Sequence, residues 1–230
     1  MHYKFVDIGC SFWGVSTDEF GTGVTGLLVE PIKEFIDALP DSDTITKATV
    51  AIGKKHQSVD LNVYVPNNPE IIKYYTSQYL ESIYKDWLKN PTDVKWYDFI
   101  QSHPVLGPVI GCGGTSILNR TDIPLTYHTI QKKTVQMITL HQLVEQYNIT
   151  QVDHLKIDVE GCEETILDQL VILMRSGKLS VTETIRYECN FLSDESRLIS
   201  LGKEIAKEFD FSYNLIKQGW NEDVWLRRVG

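Results

Sequence analysis

Three observations predict an α/β chain with a doubly wound, mostly parallel, Rossmann-like sheet. Residues 4–8 and 24–30 read as strands that end in turn or helix-start residues, and the continuous apolar run Leu27-Leu28-Val29 suits a parallel strand buried on both faces. Further along, strand-like runs alternate with segments of helical spacing. Three of the strand ends carry polar residues (Asp7, Glu30 and Asp158), and sheets of this kind bind ligands at the carboxyl ends of their strands. The order β-α-β-α-β, insertion, β-α-β-α-β-β places helices on both faces. The closing pair of strands implies one antiparallel strand near the sheet edge. With 230 residues the chain can bury one sizeable core. One domain is expected over 1–230, with an insertion at about 66–127 that serves as a lid.

The first strand covers residues 4–8 and breaks at Gly9. The second covers 24–30, where Leu27, Leu28 and Val29 are continuous and apolar. Pro31 stands where a helix places its first residue, Ile32, Phe35, Ile36 and Leu39 follow at helical spacing, and Pro40 stops them. A third strand is read at 48–52, ended by Gly53, and a further strand or edge hairpin at 59–65. Within the insertion, Ile72, Tyr75, Tyr79, Ile83 and Trp87 predict one amphipathic helix, followed by a glycine-rich loop at 107–114. Thr139 and Gln142 have the spacing of a capping box ahead of Leu140, Leu143, Val144 and Tyr147. A strand at 154–159 ends at Gly161, and a helix through Ile166, Leu170 and Met174 closes at Gly177. A strand at 184–189, a helix through Leu198 and Ile205, and strands at 211–216 and 224–229 complete the chain.

Composition narrows the function. Hydrophobic residues make up 42% and charged residues 23%, as in soluble globular proteins. The net charge of −9 disfavours nucleic acid, whose phosphates need clustered Lys and Arg. No apolar run approaches the roughly 18–20 residues that span a bilayer. The N-terminus lacks the basic-then-apolar pattern of a secretion signal, so a cytoplasmic protein with reduced thiols is expected. Cys10, Cys112, Cys162 and Cys189 form no C-x-x-C pair, which argues against structural zinc.

The strand ends point to a nucleoside. Gly9 follows the first strand, Gly14 lies five positions on, and Glu30 lies 21 residues beyond Gly9. In a βαβ unit such a carboxylate accepts the ribose hydroxyls. Ser11 stands where a dinucleotide fingerprint needs its second glycine, so a ligand with a ribose and no phosphates fits better than NAD. Glu30 taken alone could equally cap the next helix. Between residues 155 and 163, Lys156, Asp158 and Glu160 alternate with apolar neighbours. Polar groups there are costly unless paired or at the strand's end. Asp158 is read as functional and Glu163 as a cap of the following helix.

Val6-Asp7-Ile8-Gly9, Val29-Glu30-Pro31, the run Leu155-Lys156-Ile157-Asp158-Val159-Glu160-Gly161-Cys162-Glu163, and Tyr187-Glu188 together resemble the FkbM-type family of S-adenosylmethionine-dependent methyltransferases. Thr139-Leu140 also matches that layout. The resemblance covers 3–52 and about 135–190 and is weak over 66–127 and the last forty residues. It implies a class I methyltransferase fold, S-adenosylmethionine as cofactor and methyl transfer, often to a hydroxyl. On that resemblance Asp7, Gly9, Cys10, Ser11 and Gly14 surround the methionine part. Glu30 and Pro31 meet the ribose, and Ala51 and Ile52 border the adenine. The chain departs from the family in its first turn, where Cys10-Ser11-Phe12-Trp13 make a longer and bulkier connection.

A hydroxyl is a poor nucleophile at neutral pH, so a positioned base helps. Asp158 is the first candidate and Glu188 the second. Lys156 is expected to pair with one of them and to meet substrate, and His128 is a second substrate candidate. The acceptor class expected is a sugar or another small or lipid-linked molecule. A metal on Asp158 and Glu188 has no support from spacing, and none is expected. The rival readings are an NAD(P)-dependent oxidoreductase and a degenerate nucleoside-binding module. Oligomer formation is open.

Overall fold

The computed structural model describes residues 1–11, 15–66, 128–189, 192–218 and 221–229. Gly14, the helix and glycine-rich loop read at 72–114, and the lid assigned to the insertion lie outside the described residues. The described elements are β1 (His2–Ile8), α1 (Val15–Phe20), β2 (Gly26–Val29), α2 (Lys33–Asp37), β3 (Ile45–Ala48), β4 (Ala51–Ile52), β5 (Gln57–Pro66) and β6 (His128–Ile138). They continue with α3 (Leu140–Gln146), β7 (Gln151–Ile157), α4 (Glu163–Arg175), β8 (Ser180–Glu188), α5 (Glu195–Glu208), β9 (Phe211–Gln218) and β10 (Asn221–Arg228).

Seven strands form one sheet in the order β3-β2-β1-β7-β8-β10-β9. The neighbours β3, β2, β1, β7 and β8 run parallel, and β10 is antiparallel to both β8 and β9. This is the mostly parallel, Rossmann-like sheet expected, with its antiparallel strand one place from the edge. Chain order reverses between β1 and β7, which opens the crevice where such sheets bind ligands.

Both faces are covered, for reasons visible in the strands. Val6, Ile8, Leu27, Leu155, Ile157, Ile185 and Leu226 pack with Leu143 of α3, Ile166 and Leu170 of α4, and Leu198 and Ile205 of α5. Phe5, Leu28 and Ile45 pack on the other side with Ile36 of α2 and Phe20 of α1. Buried side chains of this size contribute roughly 1.5–3 kcal/mol each. The capping box forms: Gln142 N donates to Thr139 Oγ1 at 3.1 Å, and Thr139 N donates to Gln142 Oε1 at 3.0 Å. Gly177 follows α4 at φ +69°, a left-handed position that favours glycine.

Two expectations are corrected, and one strand lies where none was expected. The strand read at 48–52 is two strands: β3 ends at Ala48 in the large sheet, and Ala51 and Ile52 pair parallel with Met137 and Ile138 in a second sheet ordered β4-β6-β5. Thr49 and Val50 carry the chain from one sheet to the other. The helix after β2 begins at Lys33 with Ile32 as N-cap, so Pro31 precedes it. The strand β6 went unread. Of its described side chains only Met137 and Ile138 are buried, so no face shows an apolar repeat. Its register with β5 comes from ten paired positions, Gln57 to Pro66 against Met137 to His128.

Candidate active site

The carboxyl ends of β1, β2, β7 and β8 converge. Gly9 leaves β1 at φ +81°, and a Cβ there would lie 1.7 Å from the Asp158 carbonyl oxygen. Asp158 N donates to Ile8 O at 2.9 Å, and Gly9 N donates to Val29 O at 2.8 Å. The glycine is therefore needed for close packing of two strand ends. Cys10 is buried and its thiol is pushed well up, by burial and then by the Asp7 and Glu30 carboxylates, so it is an inert thiol.

Glu30 is buried at the end of β2. Its Oε2 accepts from Ser11 N at 3.0 Å and its Oε1 from Ile32 N at 2.9 Å. One carboxylate thus organises both the turn after β1 and the entry to α2. Burial pushes it up to about 7, although its two backbone donors pull the other way. Ser11 sits at φ +51°, and its buried Oγ has no hydrogen-bond partner among the described residues.

The Glu30 shift has a consequence for stability. A carboxyl raised on folding favours the folded state fully below its unfolded value near 4.5, and that advantage is lost as pH rises through about 7. At about 1.4 kcal/mol per pH unit this amounts to about 3 kcal/mol. Glu30→Gln should remove this component. The difference in unfolding free energy between wild type and variant, measured by denaturant melts from acid to neutral pH, should move by that amount. A difference that stays flat with pH would contradict the shift.

Asp7 is fully buried on β1. It accepts from Ser16 Oγ of α1 at 2.7 Å and pairs with Lys156 Nζ at 3.3 Å. Lys156 lies on β7 directly beside Asp7 in the register and reaches Asp158 Oδ2 at 3.1 Å. Burial alone would lower its ammonium, but Asp158 and then Asp7 more than offset this and hold the proton more tightly than usual. The pairing expected of Lys156 is present, and with both partners.

Asp158, Glu160 and Glu188 bring carboxylate oxygens within 4.8 Å of one another. Asp158 is 36% exposed at its side chain, whereas Glu188 is buried. Burial, then the charges of Asp158, Glu160 and Glu163 and a hydrogen bond with Asp158, push Glu188 up to about 11. Glu188 is thus the buried member of the pair, and Asp158 faces the crevice. Such oxygens are the donors a hard cation takes. Here Lys156 already supplies a positive charge on Asp158.

The turn after β7 is held from below. Glu160 and Gly161 both have positive φ, at +57° and +111°. Glu163 Oε1 accepts from Val159 N, and its Oε2 from Gly161 N and Ser193 Oγ, each at 2.9 Å. Glu163 thus bonds its own backbone N–H at the start of α4, as a cap does, and also the turn that precedes the helix.

A family model, the methyltransferase FkbM domain, matches residues 9–213. The chain belongs to the FkbM methyltransferase family. No curated protein and no solved structure matches it.

In this FkbM-family chain the match extends across 67–127, where the motifs are weak. Of the residues assigned from sequence, Asp7, Gly9, Cys10, Ser11, Glu30, Lys156, Asp158 and Glu188 gather at the crevice. Pro31 lies in the bend between β2 and α2. Ala51 and Ile52 are buried in β4, past the end of β3. His128 opens β6, opposite Pro66 in the second sheet. His154 packs as a lone histidine does: Phe20 stacks on it at 4.3 Å and Glu183 pairs with it at 3.1 Å. Sequence reading missed Ser16 and Ser193, whose hydroxyls bond Asp7 and Glu163. Short-range spacing carries no signal for either, because their partners lie 9 and 30 residues away.

Proposed function

We propose that this methyltransferase-family chain is an S-adenosylmethionine-dependent O-methyltransferase. Its acceptor is a hydroxyl of a sugar or of another small or lipid-linked molecule. It works as a single methyltransferase-like unit in a reducing, cytoplasm-like compartment. The observation that carries the reading is a crevice-facing carboxylate, Asp158, 3.1 Å from the Lys156 ammonium and beside the buried carboxyl of Glu188. The three described cysteines are free thiols. No helix among the described residues is long and apolar enough to cross a membrane.

The crevice suits the cofactor. Ser11 offers a buried hydroxyl with no partner among the described residues, and Glu30 offers a carboxylate at the end of β2. Glu30 would take the ribose hydroxyls, with Pro31 beside it. Gly9, Cys10, Ser11 and Gly14 would surround the methionine part, and Ala51 and Ile52 the adenine. When bound, S-adenosylmethionine supplies a methyl group on a positively charged sulfur. The chain's part is to align the acceptor oxygen and exclude water. Asp158 Oδ accepts the hydroxyl proton as the oxygen becomes nucleophilic. Lys156 keeps Asp158 oriented, and Asp7 keeps Lys156 in place.

Titration calorimetry with S-adenosylhomocysteine and, separately, NAD tests this reading. S-adenosylhomocysteine should bind, and Glu30→Ala should weaken it about tenfold or more, the loss of a hydrogen bond to a charged group. Binding of NAD without S-adenosylhomocysteine would favour an oxidoreductase. Binding of neither would leave a module without this cofactor.

A further inference from the structure

Glu163 ties two loops together. Two of its bonds hold the turn that carries Asp158 and Glu160, and the third reaches Ser193, in the loop that follows Glu188. Its side chain is almost fully buried at the first residue of α4, a helix anchored in the core by Ile166, Leu167 and Leu170. The turn it holds contains two consecutive residues at positive φ, one of them a glutamate, a backbone that persists only where its surroundings enforce it.

We propose that Glu163 is a positioning residue that sets the separation of Asp158 and Glu188 by clamping the end of β7 to the loop after β8. The proposal rests on the reading of Asp158 and Glu188 as a working pair. Among the described residues, the charged groups around Glu188 include Asp158 and Glu160 beyond β7, with Lys156 3.1 Å from Asp158, Glu163 from α4, and Asp223 opposite it on β10. Asp223 is neutralised by Arg186 at 2.6 Å. Because Glu163 is itself a charge near Glu188, the useful variants keep that charge or leave it untouched. Glu163→Asp retains the carboxylate and withdraws it by one methylene. Ser193→Ala deletes only the link to the second loop.

The readout is the Glu188 carboxyl carbon in protein labelled with carbon-13 glutamate, assigned through Glu188→Gln. It is followed from about pH 5 to about pH 9, a range above the ordinary carboxylate value. In wild type Glu188 should stay protonated throughout. Loosening the clamp weakens the hydrogen bond and moves the charges apart, so Glu163→Asp should bring the midpoint into that range. Ser193→Ala should shift it in the same direction by less. Leu173→Val, on the same helix and away from the clamp, controls for lost stability alone. The proposal is overturned if Glu188 stays protonated in both clamp variants, or if Leu173→Val moves it equally. If Glu163→Asp does not fold, Ser193→Ala decides. Ionisation of wild-type Glu188 at ordinary carboxylate pH would instead remove the pair, a separate failure of the functional reading.

Discussion

Asp158→Asn should lower methyl transfer by about 10²–10⁴-fold, the usual contribution of a positioned general base, while the chain stays folded. The amide is isosteric. Its oxygen can still accept from Lys156, and its NH₂ can donate to the neighbouring carboxyl, so the 3.1 Å contact to Nζ has a replacement. What it cannot do is take a proton from an alcohol. The experiment measures the transfer rate from labelled S-adenosylmethionine, with circular dichroism and S-adenosylhomocysteine binding alongside. Loss of transfer with binding and fold retained supports the base assignment. Full activity in the Asn variant would remove it, and transfer would then rest on alignment and desolvation alone.

Lys156→Met should cost about 3–5 kcal/mol of stability, the usual penalty for removing one partner of a buried ion pair. Methionine nearly matches the length, so packing is largely kept and the charge is what disappears. Asp7, which is fully buried, then keeps only the Ser16 hydroxyl at 2.7 Å as a side-chain partner among the described residues. For a chain of this size the melting temperature should fall by roughly 10 °C. Adding Asp7→Asn to the same chain should recover part of the loss, because the uncompensated charge goes with it. A change below about 1 kcal/mol at neutral pH would mean that Lys156 behaves as a surface ion pair does.

The strand β2 was legible as a continuous apolar run, and β1, β7 and β8 from shorter or alternating apolar positions that stop at turn residues. Glu30 and Asp158 were legible because a carboxylate at the end of such a run has nowhere to go but the crevice or the next helix. The strand β6 was not, since most of its described side chains face solvent and leave no period. The split between β3 and β4 was hidden for a related reason: residues 48–52 keep an apolar character while the backbone changes sheets.

Sequence by itself determined the class of sheet, the family-type motifs and the positions of the acidic strand ends, because these depend on local spacing and on which residues tolerate burial. Tertiary structure decided what those acids do. Lys156 and Asp7 lie 149 positions apart and meet only because β1 and β7 are neighbours where chain order reverses. Glu188 reaches Asp158 because β8 lies next to β7, and burial at that junction pushes the Glu188 carboxyl up while Asp158 keeps an exposed oxygen. Solvation and charge separation are properties of three-dimensional neighbourhood, so spacing along the chain ranks these carboxylates but the fold sets how far burial separates them.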